Sequence, residues 1–338
     1  MIKTAAMDPK HPSGYRIGIV NPLTLVGNEV KSILRERSFP FDRVALLDST
    51  GEGVGSLTEI DEEPAVVATI ADSELEDLDL VFFCGSAEAN RKWIERAADD
   101  RFVVIDLSQP SSAEDGKLAV AGVNLEGVGA SDEVIISPHP VAIPLALILH
   151  QIESLAPVEI CTATVVQPAS EFEQAGVEEL AKQTISVLNI ESVPQTVFDR
   201  QLAFNLYPAE ARNEEFIVGQ VRQLIDPRTE LALLITQGTI FHSHTFSLFL
   251  RTKEELTTER ILHALRGNPA LALPEGDQQF GTTDAAGKDE VLIAEVRQDP
   301  AIRGGFWVWA VCDNLRRGSA LNAVLIAEKV LFSGGGVN

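Results

Sequence analysis

Residues 133–150, EVIISPHPVAIPLALILH, dictate a strand, a sharp turn and a helix in immediate succession. Val134, Ile135 and Ile136 form the short apolar run of a buried strand, Ser137-Pro138-His139-Pro140 breaks it, and the apolar segment Val141–Ile152 has helical length. Such a turn lies at a helix N-terminus, where free N–H groups and the dipole favour a developing negative charge. Many enzymes seat a nucleophile there. Here the turn offers Ser137 and His139 between prolines, and no cysteine.

Upstream of this stretch the chain alternates strand and helix. Residues 1–14 carry Asp8-Pro9 and His11-Pro12 breaks without periodicity and read as a flexible tail. Tyr15–Val20 reads as a strand, followed by a helix from about Gly27 to Arg37 with Val30, Ile33 and Leu34 on one face, and by a second strand, Arg43–Leu47, ending at Asp48. Leu78–Cys84 is a buried strand that opens through Gly85-Ser86 into a helix, and Phe102–Leu107 repeats the pattern. This order predicts a doubly wound, mostly parallel sheet. Strand, turn, helix, strand and acid also outline a dinucleotide-binding unit. A pyrophosphate turn wants glycines, so that backbone N–H groups come close to the phosphates. This turn keeps only Gly27, and Pro22 removes a donor. Asp48 lies where an acid would hold a ribose hydroxyl and repel the extra phosphate of NADP; the alternative is that it merely starts a polar turn. Gly27, Asp48 and Gly85 are therefore the candidate contacts for NAD or NADP, weakly held.

Downstream the strands come with fewer helices between them. Val158–Val166, Leu231–Gln237, Ile240–Leu250, Val291–Val296 and Phe306–Val311 read as strands. Val177–Asn189, with Leu180, Ile185 and Leu188 inside, and Glu214–Ile225 read as helices, and Ala320–Phe332 closes the chain as an apolar helix. The pattern predicts a mixed sheet covered by helices on one face. The fold class is thus α/β, a Rossmann-type doubly wound sheet (15–137 with 319–338) plus an α+β domain (138–318). His242 and His244 alternate on a strand and share a face, but nothing supplies a third metal ligand, so no metal is expected. Phe198, Leu202, Phe204, Leu206 and Tyr207 fall in the irregular stretch 191–208. So much apolar surface predicts a homodimer through the second domain; a loop folded over its own core is the alternative.

A formal charge of −23 repels nucleic acid and anionic membranes, which are excluded as partners. The cysteines, Cys84, Cys161 and Cys312, lack C-x-x-C spacing and read as free thiols in a reducing cytoplasm. No run approaches the ~18 apolar residues of a membrane span.

At Asp284–Arg297 (DAAGKDEVLIAEVR) and Trp309–Glu328 (WAVCDNLRRGSALNAVLIAE) the chain resembles the aspartate-β-semialdehyde dehydrogenase family, and the element order agrees from Tyr15 to Phe332. The resemblance implies an NADP-binding Rossmann domain joined to a catalytic and dimerisation domain. It implies an acylating mechanism, in which a cysteine thiolate attacks the substrate, a histidine handles the proton, hydride passes between NADP and the thioester, and phosphate is the other reaction partner. Ser137-Pro138-His139-Pro140-Val141-Ala142 occupies the place of the family's N-P-N-C-S-T run, so Pro140 stands at the nucleophile position. Proline carries no nucleophile. By the same match Gln167 is the glutamine that orients the acyl intermediate, His244 is the general base and Asn314 is a cofactor contact. His139, Glu215 and Gln237 line the substrate-type cleft, with Gln237, Ile217 and Ser112 in the places of two arginines and a lysine that bind carboxylate and phosphate. Losing those cations removes the charge complementarity for a dianionic substrate.

With Phe198–Leu206 (FDRQLAFNL), this pattern is similar to a nucleophile-lacking branch of the family. Three functions stand open. One is a non-catalytic dimeric interaction or ligand-sensing module. Another is an oxidoreductase with altered chemistry assisted by His244. The last is a small-ligand binder using Gln167, His139 and His244 as neutral hydrogen-bonding groups.

Overall fold

The computed structural model describes residues 14–100, 102–108, 116–129, 131–209, 213–276 and 278–332, with the backbone alone at 97–100. The expected N-terminal tail up to residue 13, and Ser112, lie outside the described residues. The chain divides into two compact units, one running to Pro138 and resuming at Ser319, the other His139–Gly318.

The first unit begins with β1 (Tyr15–Val20), α1 (Leu25–Glu36) and β2 (Phe41–Asp48). A hairpin of β3 (Leu57–Ile60) and β4 (Glu63–Val66) follows, then β5 (Ala68–Thr69), α2 (Asp72–Leu75), β6 (Leu80–Phe83), α3 (Ala87–Asp100), β7 (Val103–Asp106), β8 (Lys117–Leu118) and β9 (Val134–Ile136). Its sheet has seven strands in the order β5-β2-β1-β6-β7-β9-β8, every pair parallel. Strands buried on both faces read as unbroken apolar runs, which is why LVFF and VVID form β6 and β7. The strand order reverses between β1 and β6, and sheets of this kind hold their ligands beyond the carboxyl ends of the strands at such a point.

The second unit runs through α4 (Ala142–Glu153), β10 (Val158–Gln167), α5 (Glu173–Asn189), β11 (Leu206–Pro208), α6 (Glu214–Leu224), β12 (Glu230–Gly238), β13 (His244–Thr252), α7 (Thr258–Arg266), β14 (Leu271–Ala272), α8 (Thr282–Ala285), β15 (Val291–Gln298) and β16 (Gly305–Cys312). The sheet is mixed, ordered β11-β12-β10-β13-β16-β15-β14. Helices α4, α6 and α7 pack together on it, and α4 is apolar all round from Ala142 to Leu149 because those residues are all buried. The opposite face carries Thr162, Thr164, Leu234, Ser247, Phe249, Trp307 and Trp309, exposed or half-buried and opposite one another in register.

The chain then re-enters the first unit as α9 (Leu321–Phe332). Val324 and Ile326 of α9 share a core with Val30 and Ile33 of α1 and with Ile17, Ile19 and Phe82 of the sheet. A two-bond pairing of Arg37 with Glu328 (2.6 and 2.7 Å) clamps the helix ends.

The doubly wound sheet and the mixed second domain form as the sequence predicts. Two local readings are corrected. Of the residues placed inside the 177–189 helix only Leu180 is buried, whereas Ile185 and Leu188 are 59% and 70% exposed. Leu180 packs with Ala169, Phe198, Leu202 and Ala203, a core too small to cover the whole apolar stripe of α5. Likewise His242 does not share a strand face with His244. Ser243 has φ 78° and turns the backbone, so β13 starts at His244 and leaves His242 half-exposed on the bend before it.

Candidate functional site

The turn before α4 is closed around its own polar groups. The Ser137 hydroxyl is buried and accepts a bond from Asn322 Nδ2 (3.0 Å) on α9. His139 donates its backbone N–H to Gln220 Oε1 on α6 (2.9 Å), while its Nδ1 accepts from the N–H of Val141 (3.1 Å). A backbone N–H can only donate, so Nδ1 carries no proton. Burial pushes the imidazole pKa down to about 4, which keeps the ring neutral. Pro140 is buried, and a Cβ at Gly318 would stand 3.3 Å from the Cβ of Pro140 and 3.2 Å from its carbonyl oxygen. No described thiol substitutes for the missing one. Cys161 is fully buried with its pKa pushed up to about 12, and burial drives that of Cys312 higher still.

His244, at the head of β13, is fully buried, and neither ring nitrogen has a hydrogen-bond partner among the described residues. Its Nε2 lies 3.5 Å from Oε1 of Glu171, in the single 3₁₀ turn Ala169–Phe172 that follows β10. Burial, and then the like charge of His139, push His244 down to about 3. Burial raises Glu171 to about 7; Glu173 adds to the rise, and a bond from Asn314 partly offsets it. Glu171 is not sealed off, for its side chain is 15% exposed. Asn314 joins the group from the end of β16. Its Oδ1 accepts from the N–H of Ser243 (3.1 Å), and its Nδ2 donates to Ser170 Oγ (3.0 Å) and Glu171 Oε1 (3.2 Å). Both ends of the amide are thus engaged within the second unit.

The remaining candidates of this unit are not brought into that group by any described bond. Gln167 and Gln237 sit opposite in the β10–β12 register, and Gln167 Nε2 donates to Gln237 Oε1 at 2.7 Å. Glu215 is exposed on α6, and Ile217, where the resemblance expects a lysine, is fully buried among apolar neighbours. Sequence reasoning missed Glu171 and Gln220. Gln220 lies one helical turn beyond Ile217 on the same buried face, a spacing that could have exposed it. Among the described residues no cluster of His, Cys, Asp or Glu could hold a metal.

In the first unit Asn21, at φ 57°, fills the start of the turn after β1. Its Nδ2 donates to Ser49 Oγ, the Cys84 carbonyl and Asn90 Oδ1, while its Oδ1 accepts from the N–H of Ser49 (3.0 Å). Thr24 caps α1 by accepting from the N–H of Gly27 (3.0 Å). Gly27 itself is required, since a Cβ there would meet the Asn21 carbonyl at 2.5 Å. Gly85 takes φ 79° beside the Asn21 side chain. Asp48 is buried and accepts from the N–H and hydroxyl of Thr50 (both 2.9 Å) and from the N–H groups of Gly51 (2.5 Å) and Gly53 (3.1 Å). Its bonds are those of a polar turn. With Asn21, Thr24 and Asp48 committed internally, these residues fit a pyrophosphate and a ribose poorly.

Comparison with known proteins agrees with this division. The semialdehyde dehydrogenase NAD-binding domain matches residues 16–137, and the semialdehyde dehydrogenase dimerisation domain matches residues 152–317. A USG-1 protein homolog of Pseudomonas aeruginosa is 30% identical over 93% of this chain and 97% of its own length. An aspartate-semialdehyde dehydrogenase of Rickettsia bellii is 27% identical over 94% of this chain and 98% of its own. The crystal structure of aspartate semialdehyde dehydrogenase II from Vibrio cholerae, complexed with ASA, superposes with a TM-score of 0.88 at 27% identity, covering 94% of this chain and 98% of that one. With both domains matched in order and nearly the full length aligned, the chain belongs to the aspartate-semialdehyde dehydrogenase family.

Proposed function

We propose that this chain is a family member that has lost the covalent reaction and serves as a dimeric ligand-sensing or interaction module. The observation that carries this is Pro140 at the nucleophile position, buried against Gly318, while the thiols of Cys84, Cys161 and Cys312 lie buried elsewhere in the fold. Acyl transfer needs an activated nucleophile and cationic groups for substrate carboxylate and phosphate. Gln237, paired with Gln167, and Ile217, in the core, supply no such charge. The test is a steady-state assay of phosphate-dependent oxidation of aspartate semialdehyde with NADP. The expected rate equals that of buffer, and turnover that disappears in His244→Ala would refute the reading.

One observation favours a second reading, an oxidoreductase of altered chemistry: His244 is retained beside Glu171 as an uncommitted neutral imidazole. On the first reading, NAD or NADP binds weakly at most, with NAD ahead because Asp48 opposes a 2′-phosphate; calorimetry showing NADP the tighter ligand would reverse that order.

The homodimer rests on the second unit. Thr162, Thr164, Leu234, Ser247 and Phe249 leave the sheet face opposite α4, α6 and α7 exposed or half-buried, and Ile185, Leu188, Ile190, Phe204 and Leu206 are 59–95% exposed. Ile190 and Phe204 also hold left-handed backbone (φ 59° and 60°), which costs a bulky side chain about 1–3 kcal/mol. Strained, exposed apolar residues make sense where a partner covers them. Among the described residues no helix is long and apolar enough to cross a membrane. The buried free thiols suit a reducing cytoplasm, where we place the protein.

A further inference from the structure

We propose that Glu171 is a positioning residue that fixes His244 as the Nε2–H tautomer, leaving Nδ1 as its basic nitrogen. The inference holds whether or not the chain turns over a substrate, and it rests on a chain of hydrogen-bond directions.

The chain starts at a donor that cannot be reversed. The backbone N–H of Ser243 points at the side-chain amide of Asn314 at 3.1 Å, so the atom it meets must be the amide oxygen. The other end of that amide is then –NH₂, which donates to Glu171 Oε1 at 3.2 Å and to Ser170 Oγ at 3.0 Å. Oε1 is therefore an acceptor in either ionisation state of Glu171. If the carboxyl holds a proton, the proton belongs on Oε2. The same Oε1 is the oxygen that faces His244 Nε2, at 3.5 Å. An imidazole lone pair aimed at that oxygen is repelled, whereas an N–H is attracted and comes within bonding range after a shift of a few tenths of an ångström. Burial of His244 makes this choice strong, because water does not screen it and the doubly protonated ring is disfavoured.

The consequence is chemical. His244 has no hydrogen-bond partner at Nδ1 among the described residues, and with the proton held at Nε2 that nitrogen keeps its lone pair. His139, the other buried histidine of this unit, is also fixed as an Nε2–H ring, by the N–H of Val141. Both imidazoles then present the same tautomer, one tied to backbone and the other to a carboxyl.

The test is long-range ¹H–¹⁵N correlation on the full chain labelled at its histidines, with the His244 signals identified by their loss in His244→Gln. The unaltered protein should show a neutral ring protonated at Nε2. Glu171→Gln, whose carbonyl oxygen can accept the same two bonds, should keep that pattern. Glu171→Leu should lose it and give a tautomer mixture or the Nδ1–H form, an effect that a role in stability alone does not predict. An Nδ1–H ring in the unaltered protein overturns the proposal without any variant, and so does an unchanged tautomer in folded Glu171→Leu.

Discussion

The turn after β1 and the turn before β13 each place a polar side chain at the end of a buried strand, and they treat it in opposite ways. Asn21 has every side-chain donor and acceptor engaged, to Ser49, Cys84 and Asn90. At the second turn His244 and the hydroxyl of Ser243 are buried with no partner among the described residues. Unpaired buried polar groups cost about 1–3 kcal/mol each, so a purely structural turn would be expected to evolve toward the first arrangement. The difference suggests that the nucleotide-side turn has settled into scaffold, while the turn at His244 still carries groups held for a use. The surface follows the same division, with the strained exposed pair Ile190 and Phe204 in the unit that holds His244.

The hardest test is to give the second unit back its nucleophile. Pro140→Cys should show no recovered oxidation of aspartate semialdehyde. The thiol would lack the clamps for carboxylate and phosphate, and such oriented electrostatic contacts commonly contribute on the order of a thousandfold in rate. Turnover from this single substitution, followed by NADPH absorbance, would mean that the polar groups near His244 still make a working site.

Next in size is the surface. Phe204→Asp places a charge on a 62% exposed aromatic position and should weaken the dimer by about a hundredfold or more, as truncation of an interface anchor does. Light scattering should then report monomers at micromolar concentration. A monomer for the unaltered chain would instead leave the strain at Phe204 without a purpose.

Much of this was legible in the sequence, and the failures have physical reasons. Runs such as YRIGIV and LVFFC announce strands buried on both faces, because no other element needs so many branched and aromatic residues in a row. Helical spacing put Ile185 and Leu188 inside, but periodicity shows only that a stripe is apolar and not whether this chain or another covers it. Phe198 and Leu202 lie in the unit's own core, as the folded-back reading of that stretch has it, while Phe204 and Leu206 stay exposed and are the part left for a partner to cover. Glu171 was invisible. It reads as one acid among many, and only the fold of β10 and β13 sets it beside His244.

The pair also separates the units by pH. Glu171 is raised from 4.5 to about 7, so the stability it lends by keeping its proton is complete below 4.5 and is lost as pH rises through about 7. His244 is depressed from 6.5 to about 3, so its contribution is present above 6.5 and lost as pH falls through about 3. Glu171→Gln should flatten the alkaline limb of the urea midpoint plotted against pH, and His244→Gln should flatten the acid limb in part, since buried His139, lowered to about 4, also contributes to it. Limbs that stay in place in both variants would show that the titrating groups lie elsewhere.

The smallest effect is the most direct reading of the comparison. Asn21→Ala takes the acceptor of the Ser49 N–H and one of the donors to the Cys84 carbonyl and Asn90 Oδ1, which keep their bonds from Asn90 and Ser49, and should destabilise the first unit by about 1–3 kcal/mol. Ser243→Ala removes a buried hydroxyl that has no partner, so no bond is lost and a desolvation cost disappears. The left-handed backbone at position 243 suits alanine no better than serine, and the N–H that Asn314 needs remains. Its effect on the unfolding free energy, read from the urea midpoint, should therefore be within about 0.5 kcal/mol of zero or slightly stabilising. A loss as large as that of Asn21→Ala would mean that the Ser243 hydroxyl is satisfied in solution, and the contrast between the two turns would narrow to His244 alone.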